Sequence, residues 1–342
     1  MSLAMSAESE MPALATSNAA LLSVQDLKVH FPIKGGVLGT TFAHVRAVDG
    51  VSFELKAGET LGIVGESGCG KSTLGRAVLR LIKTTEGRVV WAGQDLFGLR
   101  AKALRTERRQ MQIIFQDPLA SLDPRMSVEA IISKPLRIFH PELSRAEVRK
   151  RVFETMHQVG LAASMANRYP HEFSGGQCQR IGIARAIILK PKLIVCDEPV
   201  SALDVSIQAQ IINLLMELQR ELGVSLLFIS HNLAVVRHIS HRVMVLYLGK
   251  IMEIAERDDF YARPLHPYSQ ALISAVPIAD PKLERGRPRV LLQGDIPSPI
   301  NPPSGCRFRT RCPKATALCA AQEPTMRDYG NGHFAACHHI GA

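Results

Sequence analysis

The chain has 342 residues, 46% of them hydrophobic, and a formal net charge of +10. That length builds one large domain with a substantial core plus a smaller appendage, and no run of about 20 apolar residues predicts a membrane-spanning helix. The basic surplus suits a nucleotide binder set against acidic surfaces, whereas its even spread and 5% aromatic content argue against a nucleic-acid groove.

In chain order, residues 1–20 are rich in Ala, Ser and Met and lack the basic start and apolar core of a signal peptide. They read as a disordered lead-in. Leu21 to Phe31 and Val45 to Leu55 are predicted strands flanking a Gly-rich loop, Lys34 to His44. Gly58-Glu59 is a turn. Leu61 to Val64 is a short apolar strand, and Ser72 to Leu81 a helix with Leu74, Val78, Leu81 and Ile82 at helical spacing. Gln112 to Phe115 is another short strand. Residues 127–175 form a helical insert, with helices expected over Val128 to Phe139 and Arg145 to Val159. The α/β pattern then resumes. Helices Ser174 to Leu189 and Val205 to Leu222 alternate with apolar strands Leu193 to Cys196, Ser225 to Ile229 and Arg242 to Leu248. This alternation predicts an α/β fold with a mostly parallel sheet covered on both faces. Beyond Glu256, prolines such as Pro264, Pro277, Pro281, Pro288 and Pro302 mark a second, irregular unit carrying four cysteines.

The nine residues Gly65-Glu66-Ser67-Gly68-Cys69-Gly70-Lys71-Ser72-Thr73 fit the phosphate-loop pattern, with a strand before and a helix after. The glycines let backbone N–H groups converge on phosphate oxygens, and the helix start adds a positive dipole end. Lys71 is expected to reach the outer phosphates of ATP and the Ser72 hydroxyl to ligate Mg²⁺. Cys69 reads as a small filler. Leu193 to Glu198 is a buried strand ending in two carboxylates. Neighbouring strand residues face opposite ways, so the two divide the work. Asp197 is the Mg²⁺-side carboxylate, and Glu198 polarises the attacking water. A solvated pair at a strand end is the bland alternative. His231, after the strand Ser225 to Ile229 and before a short helix, can bond a γ-phosphate or the lytic water. The Gln116 amide can report on metal and water. Ser174-Gly175-Gly176-Gln177 is a second Gly-rich, Ser-led anion site opening a helix.

Together these motifs resemble the ATP-binding subunits of ABC transporters over Leu21 to Glu256. The resemblance implies an ABC-type P-loop nucleotide-binding domain with a RecA-like sheet, an antiparallel β subdomain and a helical subdomain. It assigns the Walker A loop to Gly65–Thr73, the Q-loop to Gln116 and the signature to Ser174–Gln177. Leu193–Asp197 with Glu198 is the Walker B strand, Ser201–Asp204 the D-loop and His231 the H-loop. It also implies catalytic roles for Glu198, His231 and Gln116, Mg²⁺ held through Ser72, Gln116 and Asp197, and a signature that acts on a partner's ATP. Phe173 stands where most members have Leu. An aromatic near the first strands stacks on adenine in the family, and Phe42 lies at about the expected distance before Gly65.

The stretches GESGCGKSTLGR from Gly65 and RYPHEFSGGQCQRIGIARAI from Arg168 are similar to the F-type ATPase of bacterial oligopeptide and dipeptide importers. So is Leu265-His266-Pro267-Tyr268 with the cysteines that follow. That likeness implies two membrane permease subunits, a second, D-type ATPase, an extracytoplasmic peptide-binding protein and a place at the cytoplasmic face of the inner membrane. Relatives carrying nickel, opines, glutathione or sugars stay open. A soluble ABC ATPase acting on DNA or ribosomes is the rival class, but such proteins usually carry twin cassettes or a large insert, and this chain has neither.

The tail cysteines Cys306, Cys312, Cys319 and Cys337 sit in an irregular segment where a metal site could replace a missing core. Structural zinc usually shows close Cys pairs, absent here, whereas iron–sulfur ligation tolerates wider gaps. Free thiols are the third reading, with His338 and His339 as alternative ligands. The importer resemblance implies a 4Fe–4S cluster on the four cysteines, with zinc as runner-up.

Overall fold

Two apolar cores, one on each face of a single large sheet, organise the molecule. The computed structural model describes residues 20–35, 40–277 and 292–340. All but the last residue of the predicted lead-in, and Pro281 and Pro288, therefore lie outside the described residues.

Strands β1 (Leu22–Gly35) and β2 (Thr40–Leu55) pair antiparallel, and β3 (Thr60–Val64) leads through the Gly-rich loop into α1 (Lys71–Val78). β4 (Glu86–Trp91) and β5 (Gln94–Asp95) complete a four-stranded sheet in the order β2-β1-β4-β5. α2 (Ala101–Arg108) and β6 (Met111–Ile114) precede the helical insert, α3 (Val128–Phe139) and α4 (Arg145–Gln158). α5 (Gly175–Ile187), β7 (Leu193–Asp197), α6 (Val205–Leu222), β8 (Ser225–Ile229), α7 (Leu233–Ile239) and β9 (Arg242–Tyr247) follow. β6, β7, β8, β3 and β9 run parallel in that spatial order. Every residue of β3, β7 and β8 is buried, as strands covered on both faces require.

Side-chain parity sorts these strands between the cores. Ile194 and Cys196 face the helical side, while Leu193 and Val195 face α1 and the antiparallel sheet. Asp197 continues the second parity and meets α1. The insert helices start as their sequence dictates. Ser127 caps α3 by accepting the Ala130 N–H, and Ser144 with Glu147 forms a capping box on α4.

β10 (Lys250–Glu256), β11 (Arg327–Asp328) and β12 (Phe334–Ala335) extend the main sheet to eight strands, β10 and β12 joining antiparallel. The segment past Glu256 is thus more regular than expected. It also forms α8 (Arg257–Ala262), α9 (Pro267–Ser274) and α10 (Ala317–Ala321). The predicted helix from Ser72 stops at Val78, and Arg80 turns into the left-handed region at φ 51°.

Glu253 on β10 anchors this extension. Its carboxylate accepts the N–H groups of Leu265 at 2.9 Å and His266 at 2.8 Å, and pairs with His333 Nε2 at 2.7 Å. Both side chains of the Glu253–His333 pair are fully buried. His266 Nδ1 in turn accepts the Tyr268 N–H at 3.0 Å and caps α9, which requires an unprotonated nitrogen. Burial pulls the His266 pKa down from 6.5 to about 4, against the opposing field of Glu253. Between those values the unfolded chain takes up a proton that the folded chain excludes, so stability falls as pH drops through this window. The difference amounts to roughly 3 kcal/mol at full effect. Calorimetric unfolding from about pH 7 down to pH 5 should show a steeper loss in the parent than in His266→Asn, which keeps a cap. Parallel losses would contradict this role for His266.

Candidate functional site

The phosphate-loop residues wrap the space between β3 and α1 because two positions admit only glycine. A Cβ at Gly65 would collide with the Leu246 carbonyl oxygen, and one at Gly70, where φ is 105°, with that of Ala47. Gly70 is the N-cap of α1, so the positive end of the helix opens onto a cleft lined by Ser67, Gly68, Gly70, Lys71, Ser72 and Thr73. Val45, Ala47, Gln116, Glu198 and Pro299 complete the lining. Lys71 is 4% exposed. Its Nζ donates to the carbonyls of Gly65 at 2.8 Å and Glu66 at 3.0 Å, which fold it over the loop. Buried Cys69 lies beneath, and burial pushes its thiol pKa up, as befits an inert filler.

The carboxylates at the end of β7 take separate partners. Asp197 Oδ1 accepts the Ser72 hydroxyl at 2.5 Å, and Oδ2 meets Arg76 at 3.3 Å. Glu198 adopts φ 48°, a left-handed conformation that costs a side-chain-bearing residue about 1–3 kcal/mol. That turn takes its carboxylate away from Asp197. Gln116 Nε2 donates to Glu198 Oε2 at 3.3 Å, and His231 Nδ1 stands 3.2 Å from the same oxygen. Asp197 and Glu198 at the end of β7, Gln116 after β6 and His231 after β8 come from three strand ends and gather beside the phosphate loop. The Ser72 hydroxyl, the Asp197 carboxylate and the Gln116 amide are oxygen donors, a set that fits Mg²⁺, which takes few protein ligands and completes its shell with phosphates and water.

The signature residues stand apart. Ser174 caps α5, its N–H donating to Gln177 Oε1 at 3.0 Å while its Oγ accepts the Gln177 N–H at 3.4 Å. Gly176 passes so close to Ile207 of α6 that a Cβ there would lie 2.5 Å from the Ile207 methyl. Asp204 is the N-cap residue of α6. None of Ser174 to Gln177 lines the Lys71 cleft.

Residues 48–201 match the ABC transporter family, and residues 252–319 match the oligopeptide/dipeptide transporter C-terminal region. The chain is 60% identical to the oligopeptide transport ATP-binding protein OppF of Salmonella typhimurium, covering 92% of this chain and 95% of that one. It belongs to the ATP-binding subunits of ABC transporters. AppF of Bacillus subtilis, another oligopeptide transport ATP-binding protein, is 53% identical over 95% of this chain and 98% of its own. Among solved structures, cbiO1 of Clostridium perfringens superposes with a TM-score of 0.61 at 28% identity, covering 71% of this chain and 91% of its own. The ATP-binding cassette MJ0796, dimeric and bound to ADP and Pi, gives 0.61 at 29%, covering 69% and 98%. As a member of this ABC family the chain is an ATPase subunit of a transporter, and no helix among its described residues is long and apolar enough to cross a membrane.

Phe42 is 71% exposed and outside the lining, whereas Val45 and Ala47, further along the same strand, lie within it. Pro299 faces them from the extension, its carbonyl accepting the Arg46 N–H at 3.1 Å. No local pattern announces Pro299, because its place depends on how a distant segment docks.

The four tail cysteines do converge. Gly305, at φ 61°, lets the Cys306 turn pass against the Cys319 carbonyl, and the Cys306 N–H donates to that oxygen at 2.8 Å. Burial raises the Cys306 pKa to about 11, and Cys319, Cys312 and Cys337 push it in the same direction. His339 Nε2 approaches Cys319 Sγ at 3.3 Å, and His338 Nε2 donates to the Gln322 carbonyl at 3.1 Å. Yet among the described residues no three His, Cys, Asp or Glu side chains come together tightly enough to hold a metal ion. The expected metal ligation is therefore not carried by this arrangement.

Proposed function

We propose that the chain is the F-type ATPase of a bacterial importer of di- and oligopeptides. The observation that carries this reading is a nucleotide cleft built jointly by an ABC cassette and an extension of the oligopeptide/dipeptide type. The cassette spans 21–256, with its helical subdomain over about 127–175, and the extension spans 257–342. The names of the similar proteins, which specify oligopeptide transport, support the same substrate class.

In this reading ATP lies along the cleft with its phosphates on the loop and on Lys71. Ser72, Asp197 and Gln116 would hold Mg²⁺, which would supply charge neutralisation for the phosphates. Gln116 and His231 grip one oxygen of Glu198 and so fix the orientation of the carboxylate that aligns the attacking water. Because Ser174 to Gln177 lie outside the chain's own cleft, their exposed helix start serves ATP held by a second cassette. Closure of the two excludes water and sets fixed donors around the developing charge. The second cassette is a D-type ATPase, and the pair sits on two permeases at the cytoplasmic face of the inner membrane, fed by an extracytoplasmic binding protein.

The discriminating experiment reconstitutes the complete transporter and measures ATP hydrolysis with the binding protein presented empty, peptide-loaded or offered nickel, a sugar or glutathione. Stimulation by peptide is expected. Stimulation by one of the other solutes alone would overturn the peptide reading. A 4Fe–4S cluster on the tail cysteines rests on the family resemblance alone, since the thiols as placed form no metal-holding group among the described residues. Iron and sulfide analysis of protein purified without oxygen tests it, with about four irons per chain expected. Iron-free protein of full stability and activity contradicts it.

A further inference from the structure

Glu66 is held from outside the cassette by each polar group that faces the extension. Its backbone N–H donates to the Tyr268 hydroxyl at 3.0 Å. Its carboxylate receives both terminal nitrogens of Arg311, at 2.6 Å and 3.0 Å. Its carbonyl is one of the two that carry the Lys71 ammonium. One residue thus links the extension to the lysine that meets the phosphates.

The brace is stiff. Arg311 is buried at its side chain and lies over the Tyr247 ring at 6.0 Å. Tyr268, fully buried, packs edge-on against Tyr247 with ring centroids 4.8 Å apart, and Phe308 closes the cluster at 5.2 Å from Tyr268. In this desolvated setting a two-pronged guanidinium–carboxylate contact is strong and directional. A Gly-rich loop without such a brace samples many conformers, and ordering them on binding costs affinity.

We infer that Arg311 is a positioning residue of the nucleotide site, acting with Tyr268 through Glu66 to hold the phosphate loop in its phosphate-accepting form. The inference rests on the reading of the Lys71 cleft as the ATP site. Nothing in the local sequence around the loop reveals it, since Arg311 lies far along the chain beside Cys312.

The test uses the full chain and its assembled transporter, with Mg·ATP as the probe. Binding by the parent chain tests the reading of the cleft, and only the variants test the inference. Arg311→Gln should weaken ATP binding about tenfold, the scale of one lost charge-assisted contact. In the transporter the loss should fall on KM rather than kcat, because Glu198, Gln116 and His231 are untouched. Arg311→Lys, which keeps the charge but not the fork, should recover part of the affinity. The Glu66→Gln variant should show the same loss, and the double variant should be no worse than either single one, as expected for two halves of one contact. Should Arg311→Gln fail to fold, Glu66→Gln alone reads the same contact from the loop side. Unchanged affinity in either variant, or fully additive losses in the pair, would overturn the inference.

Discussion

Glu198→Gln will bind Mg·ATP as tightly as the parent and hydrolyse it roughly 10³-fold more slowly, within the range that a positioned general base contributes. The substitution keeps shape and hydrogen bonding, so Gln116 and His231 retain a partner at the same place. What it removes is the negative charge that draws a proton from the attacking water. Lys71 and Ser72 belong to α1 and keep their places. Single-turnover hydrolysis with the assembled transporter separates the chemical step from binding. Turnover within about threefold of the parent would place the base elsewhere.

Lys71→Met will weaken ATP binding about 100-fold. A hydrogen bond to a charged group is worth about 1.5–3 kcal/mol, and in the proposed role the ammonium bonds more than one phosphate oxygen. Methionine matches the length of the lysine stem, and the site is almost fully buried, so the apolar part of the packing survives. The Gly65 and Glu66 carbonyls lose a donor, a cost borne by the folded protein. A modest drop in thermal stability should therefore accompany the large drop in affinity. Calorimetric titration with Mg·ATP measures the effect, and affinity within about twofold of the parent would contradict the assigned contact.

Much of the fold was legible because burial on both faces leaves an unbroken apolar mark. Leu61 to Val64, Leu193 to Cys196 and Ser225 to Ile229 were readable as parallel strands for that reason, and all are buried. β10 was not, since Glu253 interrupts its apolar run with a charge that burial normally forbids. His333 and the backbone N–H groups of Leu265 and His266 make that charge tolerable. β4 was not readable either, because its first half, Glu86, Gly87 and Arg88, is not buried and leaves only Val89 and Trp91 buried as an apolar mark. The phosphate loop, the two carboxylates, Gln116 and His231 were readable because their spacing and strand-end positions are local properties. Pro299, Tyr268 and Arg311 were not, because their roles arise from docking of the extension onto the cassette.

The most direct test of the account is peptide uptake into ATP-loaded proteoliposomes that carry the complete transporter with this chain facing the lumen. Labelled oligopeptide should accumulate with the parent chain and fail to accumulate with Glu198→Gln, although both bind ATP. Undiminished uptake with Glu198→Gln would contradict the claim that hydrolysis in this cleft drives transport.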